Sequence, residues 1–366
     1  MECVDLMNNP KHIRIKDIAE KAGCSIGTVD RVIHKRGKVA EEVRQRVLRI
    51  MEELDYKPNL NARVLAQKQA LSIGILLPSF RKGDYWELPN KGIRDAISRF
   101  EAQGYRIHVL EKTYHGTEQF FRNGMALLKK DVDGIITNPV TFKESIRLMR
   151  AYFQHRVPVI LIDSDIPGTP SLTFIGKDPT QSGATAGKLI HQITRHIREN
   201  KRIWVVNVSR KISQMYALLG RETGFMNFFY ERELQDEYAF RTFDMEDQGR
   251  QSDFDIRLEE MIREGVPHAI YVTGSRVHRI ASSLKKLKPE PRPLLIGHDL
   301  IQANRRGVED ESIDFIIEEE AHRQGYLAVE SMIRSVILKE HVEKKQWMNL
   351  LIYTSENLPS DPAEHA

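Results

Sequence analysis

Cysteine is almost absent from this chain, with only Cys3 and Cys24 among 366 residues. Neither lies in a paired-cysteine or Cys/His spacing, so we expect a reducing compartment and no structural metal site. The first residues, MECVDLMNNPKHIRIKD, lack a basic start followed by an apolar run, and no later apolar segment is long enough to span a bilayer. These absences predict a cytoplasmic protein without a membrane partner.

Motifs of several common enzyme classes are also missing. The chain contains no P-loop, no Gly-x-Gly-x-x-Gly and no His-Glu-x-x-His. We therefore predict a protein that is not an enzyme, with no catalytic residues and no cofactor. Its length fits two or three domains, and its composition, 41% hydrophobic and 29% charged, is that of a globular protein.

Excess charge is confined to the N-terminal region. Residues 1–70 contain 14 lysines and arginines against 10 aspartates and glutamates, whereas the remainder has 41 of each and no net charge. Seven of the basic residues fall between Arg31 and Arg49, where only two acidic residues occur. A basic patch of this kind attracts phosphate backbones, although such a cluster is often only a solvated surface.

Apolar residues in this region repeat at helical spacing, which predicts three short helices. The stripe of the first helix is Ile15, Ile18, Ala19 and Ala22. Gly23 ends this helix, and Ser25 can cap a second one, whose buried stripe is Val29, Val32 and Ile33. The third helix runs from about Ala40 to Leu54 and buries Val43, Val47, Ile50, Met51 and Leu54.

Two short helices joined by a glycine turn and completed by a third predict a helix-turn-helix, whose second helix enters the major groove of DNA. Residues facing outward in this arrangement are Ser25, Ile26, Gly27, Asp30, Arg31 and His34. Any three-helix bundle has an outer face, so this spacing alone leaves a purely structural bundle open.

Two longer segments carry a family resemblance. IKDIAEKAGCSIGTVDRVI and GKVAEEVRQRVLRIMEELDYKPNLNARVLA resemble the signature of the lactose-repressor (LacI) family, from its first helix to its hinge. The resemblance implies a repressor-type transcription factor that binds a pseudo-palindromic double-stranded DNA operator as a homodimer. It also implies a helix-turn-helix domain at residues 1–57, followed by a small-molecule effector domain.

The resemblance also assigns DNA contacts by position. Ile26 and Gly27 match the family's variable base contacts, whereas its usual phosphate and base contacts correspond to Ser25, Thr28 and Arg31. Because Gly27 has no side chain to read a base, specificity must rest on Arg31 and on Ile26, which could contact a thymine methyl group.

Asp30 and His34 depart from the family, which usually has Ser and Asn at these positions. Three interpretations of Asp30 are open: it accepts from a cytosine amino group, it holds His34 or a basic side chain, or it weakens phosphate affinity. We favour the second interpretation, because a groove-facing carboxylate without a donor would be repelled by DNA.

Residues 58–70 are predicted to be a hinge. Pro58 suits the first turn of a helix, but the segment from Asn59 to Lys68 is too short and polar to be stable alone. The resemblance implies that two such helices pair over the operator and that Leu65 wedges into a minor-groove base step. The predicted hinge contacts are Asn59, Ala62, Leu65 and Ala66, and a plain linker is the alternative.

From residue 71 onward, strand-like runs alternate with helical stretches, which predicts parallel sheets covered by helices on both faces. The runs form two sets: LSIGILL, YRIHVL, DGIIT and VPVILID, then RIWVVNV, HAIYVT and PLLIGHD. We expect lobe 1 at about 71–168 and 322–342, and lobe 2 at about 169–318 and 345–366. The predicted fold is an all-α helix-turn-helix headpiece plus an α/β effector domain of two doubly wound parallel-sheet lobes, similar to periplasmic binding proteins.

Ligands of such sheets bind beyond the carboxyl ends of the strands, so a cleft between the lobes is the expected site. The polar and aromatic residues at these ends include Tyr85, Trp86, Asn138, Asp163, Asp165, Thr273 and Asp299. Carboxylates and amides suit paired sugar hydroxyls, and an aromatic ring can stack on a pyranose. Taken singly, however, an Asp or Asn often only ends a strand or caps a helix.

Three segments of the second lobe resemble this family and the sugar-binding proteins of bacterial transport: TFIGKDPTQSGATAGKLI, GRETGF and IGHDL. The resemblance implies ligand contacts at Asp178, Arg221 and Asp299. Glu319 falls where the family usually has Gln or a similar polar residue, and we expect it to make the cleft more acidic. A sugar or sugar derivative is the expected effector, and another metabolite is the alternative.

These observations together favour a repressor whose operator affinity is controlled by a small molecule, through lobe arrangement and hinge spacing. A solute-binding protein of a sugar transporter is the alternative, disfavoured by the helix-turn-helix and the missing secretion signal. Whether the effector releases or strengthens DNA binding is open. The tail YTSENLPSDPAEHA has no apolar heptads and predicts dimers only.

Overall fold

The computed structural model describes residues 15–33, 37–54, 70–209, 216–247 and 249–360. Contacts divide the chain into two compact units, a helical N-terminal unit and an α/β unit that begins at Ala70. Within the described residues, no helix combines the length and the apolar character that crossing a membrane requires.

The described part of the N-terminal unit contains the three predicted helices, α1 (Ile15–Ala22), α2 (Ile26–Ile33) and α3 (Glu41–Glu53). Gly23 joins the first two in a left-handed conformation with a φ of 60°, which a side chain would disfavour. The apolar stripes meet in one core that buries Ile18, Ala19, Ala22, Val29, Val32, Val47 and Ile50. The helical part of the fold prediction is therefore confirmed.

The α/β unit alternates strands and helices along the chain. In order, these are β1 (Leu71–Pro78), α4 (Glu87–Ala102), β2 (Ile107–Tyr114), α5 (Thr117–Leu128), β3 (Gly134–Thr137), α6 (Phe142–Gln154), β4 (Val159–Asp163), β5 (Thr173–Gly176), α7 (Pro179–Thr194), β6 (Lys201–Ser209), α8 (Tyr216–Tyr230), β7 (Tyr238–Glu246), α9 (Gln251–Arg263), β8 (Ala269–Val272), α10 (Val277–Leu287), β9 (Leu294–His298), α11 (Gln302–Glu309), β10 (Phe315–Glu318), α12 (Ala321–Val336), β11 (Lys345–Trp347) and β12 (Leu351–Tyr353).

Two six-stranded sheets result, one in each lobe. The first has the order β11-β5-β4-β3-β1-β2 and the second β12-β10-β9-β8-β6-β7. All pairs are parallel except β10 with β12, which is antiparallel. Strands β3 and β8 are buried throughout, as expected for central strands covered on both faces. The doubly wound, parallel-dominated architecture is confirmed.

The lobe boundaries differ from those expected. Strand β5 pairs with β4 and β11 pairs with β5, so both belong to the first sheet, whereas the sequence placed residues 169 onward and 345 onward in lobe 2. No helix separates β4 from β5, so the alternation of strand and helix gave no sign that the first sheet continues. The lobes are thus connected through residues 177–178, 319–320 and 348–350.

A close glycine contact fixes the helix that carries Arg221. A Cβ atom on Gly183 of α7 would overlap the carbonyl oxygen of Arg221 on α8, and one on Gly224 of α8 would overlap that of Thr180. The two helices therefore pack with their backbones almost in contact, and only glycine permits this approach. This close packing fixes the position of Arg221 relative to α7.

Candidate functional site

The exposed face of α2 is the first candidate surface. Ser25 caps the helix, since its Oγ accepts from the Thr28 backbone N–H at 3.1 Å and lies 2.9 Å from Thr28 Oγ1. The Arg31 side chain lies along the helix, where Nε donates to the Gly27 carbonyl at 3.1 Å. Ile26 is 53% exposed at the first turn of α2.

The predicted DNA contacts are only partly covered by the described residues. Ser25, Ile26, Gly27 and Arg31 are exposed, whereas Thr28 and Asp30 are half-buried. The remaining predicted contacts lie outside the described residues: His34, Asn59, Ala62, Leu65 and Ala66. The pairing of Asp30 with His34 therefore stays a prediction.

One motif in this unit has a second interpretation. The pentapeptide Gly23-Cys24-Ser25-Ile26-Gly27 matches the Gly-x-Ser-x-Gly of serine hydrolases. In those enzymes the serine sits on a strand-to-helix turn, but here it lies between two helices and its hydroxyl is used as a helix cap. The match is therefore explained by the helix-turn-helix.

The second candidate is a cavity of 310 Å³ between the two lobes. It lies at the carboxyl ends of the strands, where both sheets present polar side chains. Six residues predicted from the sequence line it: Tyr85, Trp86, Asn138, Asp163, Arg221 and Asp299. The structure thus brings together side chains from five separate places in the chain, four of them strand ends or loops and the fifth, Arg221, on α8.

The first-lobe wall is organised around Asp163, which follows the buried part of β4 with a φ of 66°. The Tyr85 hydroxyl donates to its Oδ1 at 2.7 Å, the Asn138 amide donates to Oδ2 at 3.3 Å, and Lys177 Nζ lies 3.4 Å from Oδ1. Burial by itself raises the pKa of Asp163, but Lys177, the Tyr85 hydrogen bond and Arg221 outweigh it and lower the pKa. This carboxylate is therefore ionised and fully engaged.

The second-lobe wall is organised around Arg221. Its Nη1 donates to the Thr273 carbonyl at 2.7 Å, while Nε and Nη2 donate to the two carboxylate oxygens of Glu319 at 3.2 and 2.5 Å. This bidentate arrangement fixes the plane of the guanidinium group. Arg221 is therefore held rigidly at the cavity by groups behind it.

Asp299 lies beside Arg221 but is not held in the same way. It follows β9 with a φ of 66°, is 3% exposed, and its Oδ1 has no hydrogen-bond partner among the described residues. The nearest cation recorded is Arg221 Nη2, 4.0 Å away. Burial raises the pKa of Asp299 despite the opposing effects of Arg221 and Lys177. An unsatisfied buried acceptor at a cavity is the expected position for a ligand donor.

Four predicted residues do not line the cavity. Asp165 pairs with Lys345 at 2.9 Å, and Asp178 is an exposed N-cap that accepts from the Thr180 backbone N–H at 2.9 Å. Thr273 is fully buried behind Arg221 and donates to Asn207 at 2.6 Å. Local sequence could not separate these roles, because a polar residue after a strand serves equally as a cap or as a ligand contact.

Glu319 is the fourth residue, and the expectation that it makes the cleft more acidic is wrong. Its side chain is fully buried and contacts both Arg221 and Lys177. Two cations therefore neutralise the carboxylate, and it acts on the cavity through Arg221 and Lys177 rather than by lining it.

Several lining residues were missed by sequence reasoning. Arg276 of the second lobe reaches across the cleft to Asp84 of the first lobe at 3.2 Å, and it also contacts Asp247 at 3.1 Å. Asp84 belongs to the strand-end set that the sequence indicates, and Arg276 follows β8, so the same rule could have identified Arg276. Beyond this bridge a second cavity of 340 Å³ continues the cleft, between Arg81 and His115 on one side and Asp247 on the other.

Comparison with known families agrees with this architecture. Residues 73–340 match the periplasmic binding protein domain, and residues 14–59 match the bacterial regulatory proteins of the lacI family. The first match covers more than half of the chain. The second covers all three described helices of the N-terminal unit and extends into the predicted hinge.

Named relatives share part of this chain. Catabolite control protein A of Streptococcus mutans is 30% identical over 52% of this chain and 60% of its own length. The sucrose operon repressor of Lactococcus lactis is 33% identical over 49% of this chain and 52% of its own length. The ribose operon repressor of Bacillus subtilis is 32% identical over 50% of this chain and 52% of its own length. The chain thus spans between half and three fifths of these relatives.

Solved structures share the fold of the α/β unit. A glucose-galactose binding protein from Geobacillus stearothermophilus is 20% identical with a TM-score of 0.66, over 80% of this chain and 100% of its own. A solute binding protein from Burkholderia graminis, in complex with D-arabinose, is 17% identical with a TM-score of 0.67, over 80% of this chain and 98% of its own. The two family matches together show that the chain belongs to the periplasmic binding protein domain family at residues 73–340 and carries a lacI-family regulatory domain at residues 14–59.

Proposed function

We propose that this protein is a transcriptional repressor whose affinity for a DNA operator is controlled by a small molecule bound between the two lobes. The observation that carries the proposal is the presence, in one chain, of a helix-turn-helix with an exposed second helix and a cleft with an unsatisfied buried acceptor, Asp299 Oδ1. The relatives named as operon repressors support this combination over an enzyme.

For the DNA contact, we propose that α2 enters the major groove and that Ser25 and Arg31 hold the phosphates or base edges beside it. Ile26 is exposed at the first turn of α2 and is placed to contact a thymine methyl group. A homodimer on a pseudo-palindromic operator, with the hinge residue Leu65 in the minor groove, completes the proposed complex. Such a complex acts in the cytoplasm.

For the effector, we propose an uncharged sugar. Each other charged side chain lining the 310 Å³ cavity has an ionic partner closer than the 4.0 Å that separates Asp299 from Arg221: Asp84 with Arg276, Asp163 with Lys177, and Arg221 with Glu319. Asp299 is left as the acceptor, and sugar hydroxyls are suitable donors for it. Tyr85 and Trp86, packed edge to face at 5.2 Å, supply the apolar surface that a sugar ring requires.

DNA binding with sugar titration tests both parts of the proposal. Fluorescence anisotropy of labelled fragments from the promoter regions beside this gene would be measured with D-glucose, D-galactose, D-ribose, D-arabinose and sucrose, and with matched sugar acids. We expect specific binding to one fragment and a shift by an uncharged sugar. Specific DNA binding that a sugar acid alone shifts would overturn the assignment of the effector.

The DNA surface needs a matched pair of variants. R31A should weaken specific binding much more than R49A, because Arg49 is an exposed arginine on α3 and not on the recognition face. Sugar binding without binding to any fragment would instead support the solute-binding alternative and contradict the repressor.

D30S tests the role of Asp30 in the recognition helix. Tighter binding of D30S to every DNA sequence would indicate simple repulsion, whereas a changed base preference would indicate direct readout by Asp30.

A further inference from the structure

Three connections join the two lobes, and two of them carry oppositely charged side chains that meet in the interior. Lys177 lies in the connection from β5 to α7, and Glu319 lies in the connection from β10 to α12. Lys177 Nζ contacts Glu319 Oε2, and the two side chains are 2% and 0% exposed. We name these two residues the hinge pair. The third connection is also attached, because Glu320 accepts from the Asn349 backbone N–H at 2.8 Å.

The hinge pair is continuous with both walls of the cavity. Lys177 lies 3.4 Å from Asp163 on the first-lobe wall, and Glu319 accepts two of the three hydrogen bonds that hold Arg221 on the second-lobe wall. Glu319 also accepts from the Ser182 hydroxyl at 2.7 Å, which ties it to the first turn of α7. A single buried polar cluster therefore runs from one wall, through two connections, to the other wall.

Rotation of one lobe against the other must turn about these connections, because they are the links between the sheets. A rotation that moves residues 177 and 319 apart would separate a buried ion pair, and each partner would then face an interior that cannot solvate it. One relative position of the lobes is therefore favoured electrostatically. Any ligand that moves Arg221 acts on the same carboxylate.

We propose that Lys177 and Glu319 are positioning residues for the effector response: the hinge pair fixes the angle between the lobes and transmits the position of Arg221 to it. The inference rests on the proposed function of the cleft as an effector site. It assigns a role to Glu319 that does not require contact with the ligand, and it gives Lys177 a role that sequence reasoning did not anticipate.

A pH readout is available for the hinge pair. Burial and Arg221 lower the pKa of Lys177 to about 8, against the opposing effect of Asp163 and Asp299. The charged and titratable groups that face it are Asp163, Glu319, Arg221, Asp299, Glu318 and His298. Burial holds the pKa of His298 well below its usual range, so this imidazole stays neutral above pH 7. Raising the pH through about 8 should therefore remove the cation of the hinge pair and loosen the lobes.

The test measures the distance between the lobes directly. In the full chain with C3S and C24S, spin labels at F153C on α6 and I256C on α9 use two sites that are 65% and 59% exposed, one in each lobe. With the labelled chain diluted in an excess of unlabelled chain, so that only distances within one chain contribute, we expect one narrow distance distribution by double electron-electron resonance. K177M, E319Q and the double variant K177M/E319Q should broaden or shift it, and the double variant guards against misfolding because it removes one charge of each sign and keeps the net charge of the buried cluster unchanged.

K201M is the matched control, because Lys201 is also a buried lysine paired with a glutamate, Glu237 at 2.9 Å, but lies within the second lobe. Its distance distribution should equal that of the unsubstituted chain. Between pH 7 and pH 9.5 the unsubstituted chain should broaden and K177M should not change. Identical distributions in K177M, E319Q and K201M would overturn the proposal.

The effector response is the second readout. For the panel sugar that shifts operator binding most, E319Q and K177M should each reduce the shift at least tenfold, whereas K201M should retain it. If no sugar shifts operator binding in the unsubstituted chain, the proposed function fails and the distance measurements still decide the role of the hinge pair. Full sugar responses in both hinge variants would contradict the inference even where the proposed function holds.

Discussion

Asp163 and Asp299 occupy equivalent positions in the two lobes but have opposite surroundings. Each follows the buried part of a central strand, each has a φ of 66°, and each lines the cavity. Asp163 has a hydroxyl, an amide and an ammonium around its oxygens, and the balance of these contacts lowers its pKa. Asp299 has an oxygen without a hydrogen-bond partner, and burial raises its pKa.

The difference indicates a division of labour between the lobes. Asp163 is a structural centre that orients Tyr85, Asn138 and Lys177, whereas Asp299 is a binding group whose interactions are incomplete. A left-handed φ is uncommon for a residue with a side chain and is tolerated mainly where the surrounding structure imposes it. Both lobes therefore use the same strained strand end, and only its partners distinguish the two roles.

The largest expected difference is in stability. D163N should lower the free energy of unfolding by about 3 kcal/mol, because it leaves Lys177 buried with one carboxylate fewer. D299N should change it by less than about 1 kcal/mol, because the carboxylate it removes has an unsatisfied oxygen. Urea unfolding of the two variants measures both values, and equal losses would remove the distinction between the aspartates.

Ligand affinity should show the second largest effect. D299N should weaken binding of the effective sugar by on the order of 10- to 100-fold, because a charge-assisted hydrogen bond is replaced by a weaker one. Isothermal titration calorimetry measures this change. D310N is a suitable control, since Asp310 forms an exposed ion pair with Lys285 in the same lobe. A variant D299N with unchanged affinity would show that the ligand does not contact this carboxylate.

The pH dependence of stability should have opposite signs at the two sites. Because the pKa of Asp163 is lowered, its ionised form stabilises the fold above pH 3.8, and this stabilisation is lost as the pH falls through the lowered pKa. Because the pKa of Asp299 is raised, its contribution is lost as the pH rises from 3.8 through the raised pKa. Relative to the unsubstituted chain, D299N should therefore gain stability with rising pH, by at most about 1.4 kcal/mol per pH unit. Urea unfolding at a series of pH values measures this change. A difference in free energy of unfolding between D299N and the unsubstituted chain that does not vary with pH would contradict the prediction.

The smallest expected effect concerns an aspartate that the family resemblance placed in the cleft. D178A should cost about 1 kcal/mol of stability through loss of the α7 cap and should leave sugar affinity unchanged. Thermal unfolding and calorimetry together separate these outcomes. A tenfold loss of sugar affinity in D178A would restore the ligand contact that the resemblance implied and would extend the binding surface beyond Asp299.

Local patterns were sufficient for much of the fold. Apolar spacing predicted α1, α2 and α3, and strand-like runs predicted β1, β2, β3, β4, β6, β8 and β9, because burial on a helix or strand leaves a periodic trace. Strands β5 and β11 were assigned to the wrong lobe, since a short strand joins a sheet through pairing with distant residues. The second-sheet edge strand β7, with its mixed burial, gave no clear alternation.

The candidate site likewise has one part that local sequence predicts and another part that it does not. The sequence by itself determined which residue types stand at the strand ends, since the alternation of strands and helices carries them to the interlobe edge. Only the tertiary structure decided which of them are partnered: Tyr85 and Asp163 are 78 residues apart, and Arg221 and Glu319 are 98 apart. Whether a buried carboxylate holds the cleft together or remains open to a ligand depends on these distant donors, because the energy of a buried charge is set by what surrounds it in space.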